Sequence, residues 1–212
     1  MAILGTRGRV PAPVREEDVP QPPALSVEER GDLLDLARLA LRIAVGAAPA
    51  AALQPERNRV AASGRRASAF VTIRKEGELR GCVGCMDPDQ PVGESVTLAA
   101  TWAALRDGRF EPLVAAELPG LEADVSVLGP LVRLPDPARF QPGVHGVTVE
   151  RGACRGLLLP EVATLFDLDG SGMLRAACVK AGLPEDAWRL PGTTLHAFRT
   201  DRFGGPVLTD PS

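Results

Sequence analysis

The feature that most constrains this chain is a strand-like segment with glycines inside it, Leu-Arg-Gly-Cys-Val-Gly-Cys at residues 79–85. Glycine weakens the interior of a strand and usually marks a bulge or the close approach of another group. The preceding segment 70–74 is rich in β-forming residues, and residues 75–78 between the two have turn chemistry. The sequence therefore predicts a β-hairpin that returns along 79–84, with its glycines at a bulge or a close contact.

The remaining elements mix helices with hairpins and do not alternate strictly between strand and helix. A capping box of Ser26 and Glu29 begins a predicted helix that ends at Gly46, and a second helix runs from Pro91 to about Arg106. Further strands are predicted at 121–127, 146–150, 154–159 and 194–199, and short helices at 160–166 and 171–181. This mixture favours an α+β fold with a mainly antiparallel sheet flanked by helices. The Arg-Gly shared by the two hairpins is too short to indicate a repeat.

The composition limits the class of protein. A chain of 212 residues, 45% of them hydrophobic, can form one sizeable core or two small ones. A net charge of -3 gives no support to bulk electrostatic binding of nucleic acid. Four cysteines without a signal peptide or a long apolar span predict a cytoplasmic protein in a reducing compartment. Prolines clustered within residues 11–23 predict a disordered tail over residues 1–24, followed by a single domain at 25–205.

The direction of the side chains predicts a guanidinium and a thiol on one face of the second hairpin strand. In an extended strand, Arg80 and Cys82 point away from the face that carries Leu79 and Val83. A guanidinium beside a thiol favours the thiolate form. The same alternation turns Asp124 away from the core, so a shared sheet would make it the acidic neighbour of Arg80 and Cys82. The alternative is that Cys82 is a small buried hydrophobe and that Arg80 forms a structural ion pair.

Cys82 and Cys85 form a Cys-x-x-Cys pattern, but strand geometry opposes a redox pair. Residues three apart in a strand point to opposite faces, with Cα atoms roughly 10 Å apart, whereas a disulfide needs less than about 7 Å. A redox pair would therefore require a turn at Gly84. A zinc site would require His145 or another cysteine to join, and no second pair with standard spacing exists. We predict neither a metal site nor a redox role for this pair.

Two further polar residues lie outside the first hairpin. Arg109, in the segment Asp-Gly-Arg-Phe-Glu-Pro-Leu at 107–113, is either an anion clamp or a cation at a helix end beside an anchoring Phe110. His145, in a glycine-rich loop before a strand, is either a general base or an ordinary surface histidine. The chain has no Walker loop, no Gly-x-Gly-x-x-Gly motif and no nucleophile elbow, so no cofactor can be named.

Several ordered motifs resemble the AMMECR1 domain family. They lie at 33–38, 77–84, 107–113, 117–119, 124–128, 156–163 and 178–184. The resemblance implies an α+β fold of two closely joined subdomains with a cleft near the 79–84 strand, the family's signature and its suspected active or binding site. Together with the patterns above, it makes Cys82 the candidate catalytic residue. The candidate ligand-binding residues are Arg80, Gly81, Gly84, Arg109, Asp124 and His145.

This chain departs from the family pattern at three places. Val83 stands where the family usually has isoleucine, and Asp124 stands where it usually has glutamate, which shortens the reach towards Arg80. Cys85 is not a usual family residue, which argues against Cys-x-x-Cys chemistry as the shared function.

The resemblance suggests partners but no established reaction, so it leaves open whether the protein is an enzyme. Such proteins are often encoded with a Memo-like protein and a radical SAM protein, which are the expected partners. The leading hypothesis is a cleft around Arg80, Cys82, Arg109 and Asp124 that binds a small anionic ligand or acts on it. A non-catalytic adaptor is the alternative. Nucleic-acid binding by the basic segment 57–66 is a weaker one.

Overall fold

The chain divides into two compact units, seen in a computed structural model that describes residues 19–61 and 63–208. The N-terminal unit contains Gln21–Pro130 and the chain from Phe198 onward, and the C-terminal unit contains Leu131–Ala197. Each unit holds one four-stranded sheet. The predicted α+β class is therefore confirmed, with the strands in two sheets rather than one.

The described residues form five α-helices and eight strands. In chain order they are α1 (Val27–Ala44), α2 (Leu53–Ala61), β1 (Ala69–Lys75), β2 (Glu78–Cys85), α3 (Val92–Leu105), β3 (Leu121–Leu128), β4 (Val132–Arg133), β5 (Gly146–Arg151), β6 (Cys154–Leu158), α4 (Glu161–Leu165), α5 (Gly170–Lys180), β7 (Thr194–Phe198) and β8 (Thr200–Pro206). None of these helices combines the length and the apolar character needed to cross a membrane. Residues 1–18, most of the predicted tail, lie outside the described residues.

The predicted capping box begins α1. Ser26 Oγ accepts a hydrogen bond from the Glu29 N–H at 3.1 Å, and the Glu29 carboxylate accepts one from the Ser26 N–H at 2.7 Å. These bonds provide hydrogen-bond partners for N–H groups at the start of the helix, which have no acceptor within the helix. The helix ends at Ala44, and Gly46 follows with a φ of +75°. Its apolar stripe packs with α3 against one face of the sheet.

The sheet of the N-terminal unit has the strand order β2-β1-β3-β8, and all its neighbouring strands are antiparallel. One face carries Val71, Ile73 and Val125, which are fully buried in a core shared with α1 and α3. On the opposite face, one polar row crosses all four strands. Its members are Cys82, Thr72, Asp124 and Gly204. This register confirms that Cys82 and Asp124 share the face away from the helices.

The C-terminal unit has the strand order β4-β7-β5-β6, with α5 packed on β5 and β6. Its core contains Met173 and Ala177 of α5 and Val147 and Val149 of β5, all fully buried. The hairpin predicted at 146–159 is present as β5 and β6.

The two sheets share an arrangement that the sequence alone does not reveal. In each, a hairpin is followed by a helix and then by a strand beside the first hairpin strand: β1, β2, α3 and β3 in one unit, and β5, β6, α5 and β7 in the other. Gly81 and Gly156 take the same place in the two hairpins, each against a helix carbonyl, that of Ala103 or of Ala177. The Arg-Gly dipeptide that the two hairpins share is too short to indicate a repeat. In the structure it lies at equivalent positions of the same hairpin–helix–strand arrangement.

Three elements are missing from the sequence-based prediction: α2, β4 and β8. α2 is polar nearly all round and buries only Val60, so it has no apolar period to recognise. β8 combines charged residues with Gly204, Gly205 and Pro206, a composition that only an edge strand tolerates. β4 is only two residues long.

Candidate functional site

The first hairpin places the Cys82 thiol beside a hydroxyl on the neighbouring strand. Glu76 and Gly77 have φ values of +52° and +85°, the left-handed backbone of a two-residue hairpin turn. Thr72 lies opposite Cys82, and its Oγ1 donates a hydrogen bond to Cys82 Sγ at 3.3 Å. Thr72 is buried and Cys82 is half-buried. The sulfur is therefore oriented by β1, in a residue that is only half-buried.

A turn after α3 covers the outer edge of β2 at Cys82. The Asp107 carbonyl accepts a hydrogen bond from the Phe110 N–H at 3.0 Å, which closes the turn. Asp107 Oδ2 accepts one from the Cys82 N–H at 2.8 Å, and Arg109 Nη2 donates one to the Cys82 carbonyl at 3.4 Å. Because β2 is an edge strand, its outward N–H and C=O groups have no strand partner. The two side chains supply the partners that a further strand would give.

The Asp107 carboxylate holds the Arg109 guanidinium from one side. Arg109 Nε donates to Oδ1 at 2.9 Å, and Nη2 donates to Oδ2 at 2.7 Å. The bond from Arg109, followed by that from the Cys82 N–H, lowers the pKa of Asp107 to about 2. Asp107 in turn raises the pKa of Arg109, and negative charge at Cys82 acts in the same direction. Arg109 Nη1 makes no hydrogen bond to the described residues, and the Arg109 side chain is 54% exposed.

Arg80 pairs with Glu117 and not with Asp124. Arg80 Nε lies 2.8 Å from Glu117 Oε1, and Nη2 lies 3.0 Å from Oε2. These bonds lower the pKa of Glu117. The prediction that Asp124 is the acidic neighbour of Arg80 is wrong because the β1–β2 register shifts by one residue between Ile73 and Arg74. Such a bulge re-aims the side chain beside it.

The Phe110 ring connects the two arginine–carboxylate pairs. The guanidinium carbons of Arg80 and Arg109 lie 5.9 Å and 5.4 Å from its centroid, within the range of cation–π attraction. Both guanidinium groups are therefore held by an aromatic ring as well as by a carboxylate.

Asp124 has two arginine partners of its own. Its Oδ2 accepts hydrogen bonds from Arg202 Nη2 at 2.6 Å and from Arg74 Nε at 3.5 Å. Gly204 lies opposite, and a Cβ there would come closer than 3.0 Å to the Asp124 carboxylate. Asp124 thus shares the face of Cys82 but lies two strands away, a spacing of roughly 10 Å.

The two glycines of the signature strand have packing contacts that a side chain would obstruct. A Cβ at Gly81 would meet the carbonyl oxygen of Ala103 in α3, and a Cβ at Gly84 would meet the ring of Phe70 on β1, both closer than 3.0 Å. The close approach predicted from the glycines is therefore confirmed. Their contact with a ligand stays a prediction.

The Cys-x-x-Cys pattern does not form a pair of adjacent sulfurs. Cys85 lies in the same continuous strand as Cys82, opposite Ala69, and it is buried on the helix-covered face. No turn interrupts β2 at Gly84. None of the four cysteines forms a disulfide, and all of them belong to the described residues.

His145 is not a surface histidine. It is fully buried in the C-terminal unit, where its Nδ1 accepts a hydrogen bond from the Gln141 N–H at 3.3 Å and its ring lies 6.2 Å from that of Phe140. Cys82 belongs to the N-terminal unit, and the contact of His145 with a ligand stays a prediction. Glycines near a histidine suggest a surface loop, but they do not determine whether the ring itself is buried.

Nothing in the described part of the chain groups three or more histidine, cysteine, aspartate or glutamate residues as a metal ion would require. A concavity of about 170 Å³ lies between α2 and the start of α3, where Arg57, Asn58 and Glu94 are among its lining residues. None of its lining residues belongs to β2.

The basic segment 57–66 is largely ion-paired, and its first five residues belong to α2. The pairs are Arg57 with Glu94, Arg59 with Asp32 and Glu56, and Arg65 with Glu29. Paired guanidinium groups contribute little positive potential for phosphates, so this segment gives nucleic-acid binding little support.

Comparisons with known proteins agree with this fold. The AMMECR1 family model matches residues 34–203. A protein of Methanothermobacter thermautotrophicus is 41% identical over 145 residues, covering 66% of this chain and 76% of the relative. A protein of Thermofilum pendens is 37% identical over 195 residues, covering 84% and 91%. The crystal structure of an uncharacterised Pyrococcus horikoshii protein, PH0010, matches with a TM-score of 0.75 and 30% identity over 85% of this chain and 93% of that one.

The chain therefore belongs to the AMMECR1 family. The family match covers the signature strand β2, the turn at 107–113 and every strand of both sheets except the last three residues of β8.

Sequence reasoning missed three residues that surround the signature strand: Thr72, Asp107 and Glu117. The register that pairs Thr72 with Cys82 depends on the bulge, which sequence does not locate. The Asp-x-Arg spacing at 107–109 is a usable signal, because an aspartate often caps the N–H two residues on in a turn. Glu117 has no local signal, since its contact depends on how the chain returns after α3.

Proposed function

We propose that this chain binds a small anionic ligand beside Cys82 and Arg109, with the Cys82 thiol as nucleophile or direct contact. The observation that carries the proposal is a half-buried cysteine whose thiol accepts a hydrogen bond from Thr72 and whose main-chain carbonyl accepts one from the partly exposed guanidinium of Arg109. A hydroxyl donor and a nearby cation both favour the thiolate. The outer guanidinium nitrogen, Arg109 Nη1, is a charged donor for an anion.

The C-terminal unit provides an internal comparison. Thr148 of β5 stands where Thr72 stands in β1, but the residue opposite it is Leu157, which is buried. The same hairpin framework thus folds without a thiol at this position. This difference supports a role for Cys82 beyond the fold.

Alkylation by iodoacetamide tests the proposal. We expect Cys82 to react about tenfold faster than Cys154 at neutral pH, because a neighbouring cation favours the reactive thiolate. Cys154 is the matched control, since both residues are half-buried. Cys178 is a poor comparison, because burial raises the pKa of its thiol and restricts access. The rates come from mass spectrometry of the two peptides under limiting reagent.

Two outcomes decide the matter. An Arg109→Gln variant should bring the Cys82 rate close to that of Cys154. Labelling of Cys82 that is equal to or slower than that of Cys154 in the unsubstituted protein would end the nucleophile role.

A second candidate function is docking of a protein partner. Leu79 and Val114 are 37% and 54% exposed, and both adjoin the Arg80–Glu117 pair: Leu79 precedes Arg80, and the Val114 N–H donates to Glu117. We propose a Memo-like or a radical SAM protein as the partner, on the strength of the family. Co-purification with such a co-expressed protein should survive Cys82→Ser and be lost in Leu79→Asp. The reverse pattern favours the ligand site.

A further inference from the structure

We propose that Asp107 is the positioning residue of this site: one carboxylate fixes both the main chain that carries the thiol and the guanidinium beside it. The inference rests on the proposed function, because it assigns Asp107 a role within that site. Asp107 acts through Cys82 and Arg109 and does not itself contact the ligand.

Both oxygens of the Asp107 carboxylate are already in use. Oδ1 accepts from Arg109 Nε and from the Arg109 main-chain N–H, the latter at 3.3 Å. Oδ2 accepts from Arg109 Nη2 and from the Cys82 N–H. Asp107 is 9% exposed. A carboxylate that is this buried and fully engaged is suited to holding other groups in place rather than to binding an incoming molecule.

The direction of the guanidinium follows from this pairing. Nε and Nη2 form one edge of the planar fork, and that edge faces Asp107, while the second hydrogen of Nη2 is donated to the Cys82 carbonyl. Nη1 belongs to the other edge and stays available to a ligand. Arg109 lies on an exposed turn, where an unpaired arginine samples many rotamers. Asp107 therefore holds the cation at the main chain of Cys82, with the Phe110 ring as its second contact.

A carboxylate that only neutralised Arg109 can be distinguished from one that positions it, because its removal would change the electrostatic potential at Cys82 in the opposite direction. If Asp107 only neutralised Arg109, removing its charge would raise the positive potential at Cys82. If Asp107 positions Arg109, removing the carboxylate releases the cation and lowers that potential. The two roles predict changes of opposite sign in one measurable quantity.

That quantity is the ratio of alkylation rates for iodoacetate and iodoacetamide at one cysteine. The reagents differ in charge, and the ratio cancels most of the difference in access. We expect a higher ratio at Cys82 than at Cys154 in low salt, where exposed charges are least screened. Asp107→Asn, Asp107→Glu and Arg109→Gln should each lower the Cys82 ratio by about threefold. Combining Asp107→Asn with Arg109→Gln should lower it no further than Arg109→Gln alone.

Each variant has an informative alternative outcome. A raised ratio in Asp107→Asn with an unchanged ratio in Asp107→Glu would overturn the positioning role and leave the anion site intact. An unchanged ratio in Arg109→Gln would remove Arg109 from the site and end the proposed function itself. In each variant, an unchanged ratio of alkylation rates at Cys154 and a cooperative thermal unfolding transition verify that the protein is folded. If Asp107→Asn does not fold, Asp107→Glu, which keeps the charge and changes the geometry, decides the question.

Discussion

Gly81→Ala should lower the free energy of unfolding by about 1–3 kcal/mol, the cost of overpacking a well-filled core. The new methyl group would lie closer than 3.0 Å to the carbonyl oxygen of Ala103. That oxygen belongs to the main chain of α3, so no change of rotamer can move it away. Either the helix shifts from the sheet or the strand distorts. Urea unfolding followed by circular dichroism measures the difference.

Two glycines of the same chain provide matched controls. A methyl group on Gly108 would point into open space, with no packed neighbour within 4 Å, and Gly108 has no positive φ. Gly108→Ala should therefore stay within about 0.5 kcal/mol of the unsubstituted protein. Gly156→Ala should cost about as much as Gly81→Ala, because a methyl group there meets the Ala177 carbonyl. If Gly81→Ala is tolerated as well as Gly108→Ala, the close approach of α3 does not constrain the signature strand.

Gly84→Ala should also lower the free energy of unfolding by about 1–3 kcal/mol. In this case a second substitution can remove the obstacle. Here the obstacle is the side chain of Phe70, whose ring covers Gly84 from the neighbouring strand. An aromatic ring over an edge-strand glycine is a known way to stabilise a sheet. Phe70→Leu should therefore remove most of the cost of Gly84→Ala.

A double-mutant cycle in urea measures this coupling. We expect Gly84→Ala to cost less in the Phe70→Leu background than in the unsubstituted protein by at least about 1 kcal/mol. Equal costs in the two backgrounds would show that the Phe70 ring is not what requires a glycine at position 84.

The hairpin and the first helix were predictable because their signals are local. The capping box at Ser26 and the turn around Gly77 each depend on residues a few positions apart, and strand alternation correctly placed Cys82 and Asp124 on one face. The partner of Arg80 was not predictable, because a one-residue bulge redirects its side chain.

Long-range packing explains the other differences. His145 looks exposed in sequence and is fully buried in the folded chain. The contact between Asp107 and Cys82 appears only when the turn is seen against the edge of β2, since this hydrogen bond spans 25 residues. The glycines of the first hairpin signalled a bulge or a close contact, but only the structure shows that Gly156 of the second hairpin makes a contact equivalent to that of Gly81.

Binding of an anion beside the Cys82 thiol is tested most directly by competition. The measurement is the rate of Cys82 alkylation by iodoacetamide as inorganic phosphate or acetate replaces chloride at constant ionic strength, with Cys154 in the same sample as control. We predict a saturable slowing at Cys82 that is absent at Cys154 and lost in Arg109→Gln. A Cys82 rate that neither anion changes, or that falls equally at Cys154, would contradict the presence of an anion site.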